Sequence, residues 1–222
     1  MTEFTTLYNF LCGPFLWLTL IVFIGGSVYK IATMISLVNK KEKFIYTHIS
    51  LKYSLRSIFH WIIPFATLNW RRHPVVTVLT FLFHGGLVIM PFFLSAHVIM
   101  FNKAWGIKWW TLPYGFVDVV TLIVISSCII FLVRRLTLRE VRFLTTPSDY
   151  LILVIACAPF LSGFLALHQI GDYHFWLILH ILTGELMLMA IPFTRLSHML
   201  FGVFTRAYSG SEFGGIRHAR DW

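Results

Sequence analysis

"YGFVDVVTLIVISSCIIFLV", residues 114–133, carries a single charged side chain, Asp118, and stops against Arg134 and Arg135. A helix of about 20 residues rises about 30 Å, the thickness of the hydrocarbon layer of a bilayer. The run shows no alternation of apolar and polar positions, and a lipid environment demands that backbone polar groups be satisfied within the segment. A transmembrane helix follows. The rest of the chain agrees: 58% of the 222 residues are hydrophobic and 12% are charged, against roughly a quarter charged in soluble domains. Four further runs have the same character, at 13–37, 74–100, 150–167 and 175–204. The expected fold is an all-α integral membrane protein with five transmembrane helices, a single membrane domain over 1–222, and its longest connection at 38–72.

Cations set the expected orientation. Lys30, Lys40, Lys41, Lys43, Lys52, Arg56, Arg71 and Arg72 precede or fill the first long loop. Arg134, Arg135, Arg139 and Arg142 follow the third run, and Arg195, Arg206, Arg217 and Arg220 end the chain. These are 16 of the 18 basic residues, and only Lys103 and Lys108 fall on the other side. The positive-inside rule places the N-terminus outside and the C-terminus in the cytoplasm. The first run has no leading cations and no small-residue cleavage pattern, so it is expected to stay as a span.

The net charge of +9 then reads as topology and contact with anionic lipid, not nucleic-acid binding. Cys12, Cys128 and Cys157 form no CxxC pair and are expected to pack as small apolar residues. The segment "LKYSLRSIFHWIIPFATLNW" (51–70) mixes cations with bulky apolar residues. It reads equally as a helix lying in the membrane interface or as a docking surface for a cytoplasmic partner. The outer loop "NKAWGIKWWTLPY" has the aromatic content of a membrane–water boundary. The loops are too short for a catalytic domain, so any chemistry is expected between the helices or on a bound cofactor.

Ionisable groups inside spans are costly and mark functional candidates. In the fifth run His180 and His198 are five whole helical turns apart, on one face and separated by about 27 Å. In the second, His84 and His97 lie at mid-depth and at the outer end. Antiparallel packing would bring His97 level with His180 and His84 towards His198. Two stacked imidazole pairs are what two six-coordinate haems need, and closed axial positions favour electron transfer. On a regular helix His84 and His97 would face about 140° apart, so a kink at Pro91 is expected to correct them. His73 is a rival that falls within about 20° of His84, although "RRHP" suits a solvated boundary.

"FHGG" (83–86) and the histidine-to-"PFTRLSH" stretch (180–198) resemble the gamma-subunit family of respiratory nitrate reductase. The resemblance covers essentially the whole hydrophobic chain. It implies five spans and two haems b ligated by His84, His97, His180 and His198, with His180 serving the outer haem and His198 the inner one. "MPFFLSAHV" resembles a branch found in sulfate reducers, the cytochrome b subunit of a transmembrane redox complex. That branch implies anaerobic respiration in the bacterial cytoplasmic membrane. It also implies two partners, a cytoplasmic iron–sulfur protein like the heterodisulfide reductase catalytic subunit and a periplasmic multihaem cytochrome c. The wider spacing from "FHGG" to His97 departs from the nitrate reductase pattern, above all for a quinol site.

Supporting candidates surround these ligands. Arg195 suits a haem propionate or lipid phosphate equally. Glu185 suits a proton relay, a hold on a ligand histidine, or a neutral interhelical hydrogen bond. His168 and His174, with Asp172, form an outer cluster that suits propionate anchoring or proton release from menaquinol, or is simply a polar loop. Asp118 favours the start of its helix through the macrodipole. The leading expectation is an electron-transfer subunit of an oxidoreductase complex. The alternatives are a quinol dehydrogenase module of a nitrate reductase-like complex, a small transporter, and a haem-free anchor.

Overall fold

The computed structural model describes residues 2–222, with side chains from Glu3 onward, and among them it holds helices and no strand. Five helical stretches are long and apolar enough to cross a membrane: Glu3–Lys41, Pro74–Phe93, Tyr114–Thr137, Pro147–Leu167 and Tyr173–Ala190. The first is α1 (Thr2–Phe10) joined to α2 (Leu16–Lys41) through a π-helical turn at Leu11–Phe15. Pro14 sits inside that turn. Proline has no N–H to donate, and a wider turn absorbs the lost bond without ending the helix. Short helices α3 (Ile45–His48), α4 (Leu51–Ile62) and α5 (Leu68–Arg72) fill the long loop, and α6 (Pro74–Phe93) and α7 (Ser95–Trp105) follow. Then come α8 (Tyr114–Thr137), α9 (Arg139–Leu144), α10 (Pro147–Leu167), α11 (Tyr173–Ala190) and α12 (His198–Ser211).

Two of the expected spans are broken. The run at 74–100 is interrupted at Leu94, whose extended backbone (φ −72°, ψ 132°) separates α6 from α7. The break lies after Pro91, not at it. The run at 175–204 ends at Ala190, and a turn with a 3₁₀ segment (Arg195–Ser197) leads into α12, whose first residue is His198. Pro192 cannot donate into the helical ladder. The Thr194 hydroxyl returns to the Ala190 carbonyl at 2.8 Å, closing the turn. His180 and His198 therefore lie on separate helices, and the same-face argument for one continuous helix does not hold.

The chain divides into two compact units. One holds the N-terminal residues through Tyr8 and Val78–Gly184; the other holds Asn9–Thr77 and Glu185–Trp222. The core of the first is Phe83, Met90, Val117, Val124, Cys128, Ala156 and Phe160. α6 and α8 meet there at Gly86, where a Cβ would lie 2.3 Å from Val124 Cγ2. α10 starts at a capping box: Thr146 and Asp149 exchange side-chain and backbone bonds, with Pro147 in the first turn, where its missing N–H costs nothing.

In the second unit α4 packs along α12 through small residues. Ser54 Oγ is 3.0 Å from Ser211 Oγ and donates to the Ala207 carbonyl at 3.1 Å. The absence of a side chain at Gly210 lets α12 lie against Ser57 and the Tyr53 carbonyl. Close backbone approach through Ser and Gly is how helices associate where no hydrophobic driving force separates them from lipid.

Gly86→Ala is expected to destabilise the first unit by ~1–3 kcal/mol through overpacking. Trimming the opposing side chain with Val124→Ala in the same chain should recover much of that loss. Thermal unfolding in detergent checks both.

Candidate functional site

His97 and His180, both in the first unit, face each other. Their ring centres are 5.9 Å apart and their planes are within 13° of parallel. Two imidazoles bound to opposite sides of one metal ion at about 2.0 Å have ring centres roughly 6 Å apart.

Each ring is aimed by its other nitrogen. His97 Nδ1 donates to the Pro91 carbonyl at 3.0 Å, and His180 Nδ1 donates to the Pro159 carbonyl at 2.8 Å. A carbonyl only accepts, so the proton sits on Nδ1 and Nε2 keeps the lone pair that a metal needs. The same arrangement recurs at the other two candidates. His84 Nδ1 donates to the Thr80 carbonyl at 2.7 Å, and His198 Nδ1 donates to the Arg195 carbonyl at 2.8 Å. His84 belongs to the first unit and His198 to the second; both are exposed.

The break at Leu94 supplies the first of these carbonyls. The last carbonyls of a helix have no partner within it, and here each finds one. Met90 O accepts from Leu94 N at 3.1 Å and Phe93 O from Leu112 N at 2.9 Å. Phe92 O accepts from Trp109 Nε1 at 2.7 Å, which leaves Pro91 O to His97. Trp109, from the aromatic outer loop, is thus a cap. The second carbonyl is reached by the omission of a side chain. A Cβ at Gly163 would lie 2.8 Å from His180 Nδ1 and 2.9 Å from its Cε1. Neither Gly163 nor Pro159 stands out in the sequence, because nothing there reveals the register of α10 against α11.

The other candidates are placed as follows. Among the described residues no group of three or more His, Cys, Asp or Glu side chains could cage a metal ion. His97 and His180 would suit a cofactor that asks only two ligands of the protein, such as haem. His168 Nε2 is 3.0 Å from Asp118 Oδ1, and its ring packs on Phe164 and Tyr114. Asp118 is therefore more than a charge at a helix start. His174 Nδ1 lies 3.8 Å from Asp172, and its ring meets Phe4 edge-on. Glu185, in the second unit, is 4% exposed, and neither carboxyl oxygen has a hydrogen-bond partner among the described residues. Arg195 is exposed and lends its carbonyl to His198. His73 caps α5, and its carbonyl accepts from the Thr77 hydroxyl at 2.9 Å.

A protein of Nitratidesulfovibrio vulgaris (strain Hildenborough), named simply "Protein", is 39% identical to this chain over 211 residues, covering 93% of each. No family model matches the chain, and no solved structure matches it.

Gly163→Ala is expected to cost ~1–3 kcal/mol by forcing the His180 ring off the Pro159 carbonyl. Because the clash is with one ring, the cost should largely vanish in a His180→Ala background. A double-mutant cycle on unfolding free energies measures that coupling.

Proposed function

This chain belongs to the family of the Nitratidesulfovibrio vulgaris protein, and we propose that it serves as a di-haem cytochrome b subunit of a membrane oxidoreductase complex. In this reading it carries electrons across the cytoplasmic membrane of a bacterium in anaerobic respiration, in a setting such as sulfate reduction. The partners are a periplasmic multihaem cytochrome c and a cytoplasmic iron–sulfur subunit resembling heterodisulfide reductase. The N-terminus lies outside, as the distribution of cations implies.

The observation that carries the reading is the facing pair His97 and His180, near-parallel at 5.9 Å with both Nδ1 atoms committed to backbone carbonyls. His97 and His180 would hold the haem, which would supply one-electron transfer. The residues around it orient the ligands. Pro91 and Pro159 carbonyls hold ring angle and tautomer and raise the donor strength of Nε2. His84 and His198, tied in the same way by Nδ1, are proposed for the second haem. Arg195 is proposed to pair with a propionate.

A quinol site is favoured by one further observation. The exposed His168–Asp118 pair, flanked by Tyr114 and Phe164, is a base held by a carboxylate beside aromatic faces. It suits taking a proton from menaquinol as electrons leave. His174 and Asp172 add polar groups in the same loop, and Glu185 offers a carboxyl for onward proton movement.

Purified protein is expected to give a reduced-minus-oxidised b-type spectrum with about two haems per chain. His97→Ala or His180→Ala should remove one haem, and His84→Ala or His198→Ala the other. A folded chain that binds no haem would end the proposal. For the quinol site, Asp118→Asn should slow menaquinol-driven haem reduction about tenfold or more while leaving the chemically reduced spectrum intact.

A further inference from the structure

We propose that α4 lies in the plane of the membrane, with one face sunk into the lipid boundary and the other closed by α12 and the last residues of the chain. The inference concerns the second unit alone and stands apart from the haem reading.

α4 is amphipathic in an unusual sense, because its polar face points into the protein. Leu51, Leu55, Phe59 and Ile62 recur at helical spacing on one side. They are exposed, Leu51 by 73%, Phe59 by 57% and Ile62 by 62%. The opposite side is occupied throughout. Ser54 bonds Ser211 and the Ala207 carbonyl, and Ser57 donates to Asp221. The His60 ring stacks on Trp222 at 4.0 Å, while the Arg56 guanidinium lies 4.5 Å over that indole and 4.7 Å over Tyr53. Arg206 reaches Asp221 at 3.6 Å and covers the Trp61 ring at 4.7 Å. A helix bathed in water would present these serines, His60 and Arg56 to solvent and bury its leucines. The reverse arrangement is stable where the surroundings are apolar.

Lipid is the occupant that chain connectivity and charge select. α4 is tied on one side to α2 through residues 42–50 and on the other to α6 through residues 63–73, and both flanking helices are candidate spans. The helix is therefore held close to the membrane surface. Around it stand Lys40, Lys41, Lys43, Lys52, Arg71 and Arg72, and Glu42 is the one acidic residue between 38 and 72. This is the charge balance of a segment that meets anionic headgroups. Trp61 and Trp70, edge to face at 5.5 Å, are the residue type of that layer.

The test is the reactivity of introduced cysteines with N-ethylmaleimide, which crosses bilayers but reacts with thiolate in contact with water. The full chain is reconstituted alone in vesicles containing anionic phospholipid. Leu55→Cys, Phe59→Cys and Ile62→Cys are each compared with Lys43→Cys and Arg220→Cys, two exposed positions off the stripe. Labelling of the unsubstituted chain gives the background from its own three cysteines. The stripe positions are expected to react about tenfold or more slowly than the controls, and to reach the control rates once the protein is denatured. Stripe positions that react as fast as the controls in these vesicles would overturn the proposal. Protection seen only in native membranes would also overturn it, in favour of a protein partner. Three stripe positions keep the test decisive if one variant fails to fold; a variant is counted as folded when its unfolding temperature is unchanged.

Discussion

Inside lipid, a backbone carbonyl that loses its helical partner has no water to turn to, so every interruption of a span must come with its own donor. The described features of this protein follow from that constraint at several points. The interruption after α6 is plugged by a tryptophan, a backbone amide and a histidine. The turn after α11 is closed by Thr194. The π turn in the first helix accommodates Pro14 without an end. Histidine serves well in this role because one ring nitrogen can settle a backbone debt while the other remains a ligand. His97 uses Nδ1 in this way at the end of α6, while His84, His180 and His198 also commit Nδ1 to backbone carbonyls, though not to ones stranded by a break. At His97 the group that repairs the backbone is thus a group that the proposed chemistry needs.

A second constraint is steric. Gly86 against Val124, Gly163 against His180, Gly26 against Pro192 and Phe193, and Gly210 against Ser57 are each places where a single methyl group would collide with a neighbour. Two of these concern ordinary helix contact. Gly163 lets an imidazole approach a carbonyl on the next helix, and Gly26 accommodates the turn in which the fifth span ends. Small residues here decide which polar atoms can meet, beyond how closely the helices lie.

The five spans were legible in the sequence because hydropathy and length are properties of a segment by itself. Their interruptions were only half legible. Pro91 and Pro192 announce trouble, but the extended residue is Leu94, and which carbonyls are stranded depends on the loop that returns to cap them. The pairing of His97 with His180 follows from depth alone, whereas the shared face of His180 and His198 needs one continuous helix, which the chain breaks after Ala190. Trp109 and Asp118 were read as a boundary aromatic and a helix-end charge. Their partners, Phe92 O and His168, lie on other elements. The serine face of α4 was invisible, because a serine in sequence does not say what it touches.

The cap at the end of α6 links places that differ greatly in surroundings. Trp109 sits in an exposed loop and takes the carbonyl next to the one that His97 takes. The strength of the His97 Nδ1–H bond, and with it the electron richness of Nε2, depends on how that short stretch of backbone is held. A change in the loop that loosened the Trp109 bond would therefore reach the His97 imidazole through the backbone that carries its acceptor. The loop and the imidazole are thus joined through one short stretch of backbone, each holding its own carbonyl.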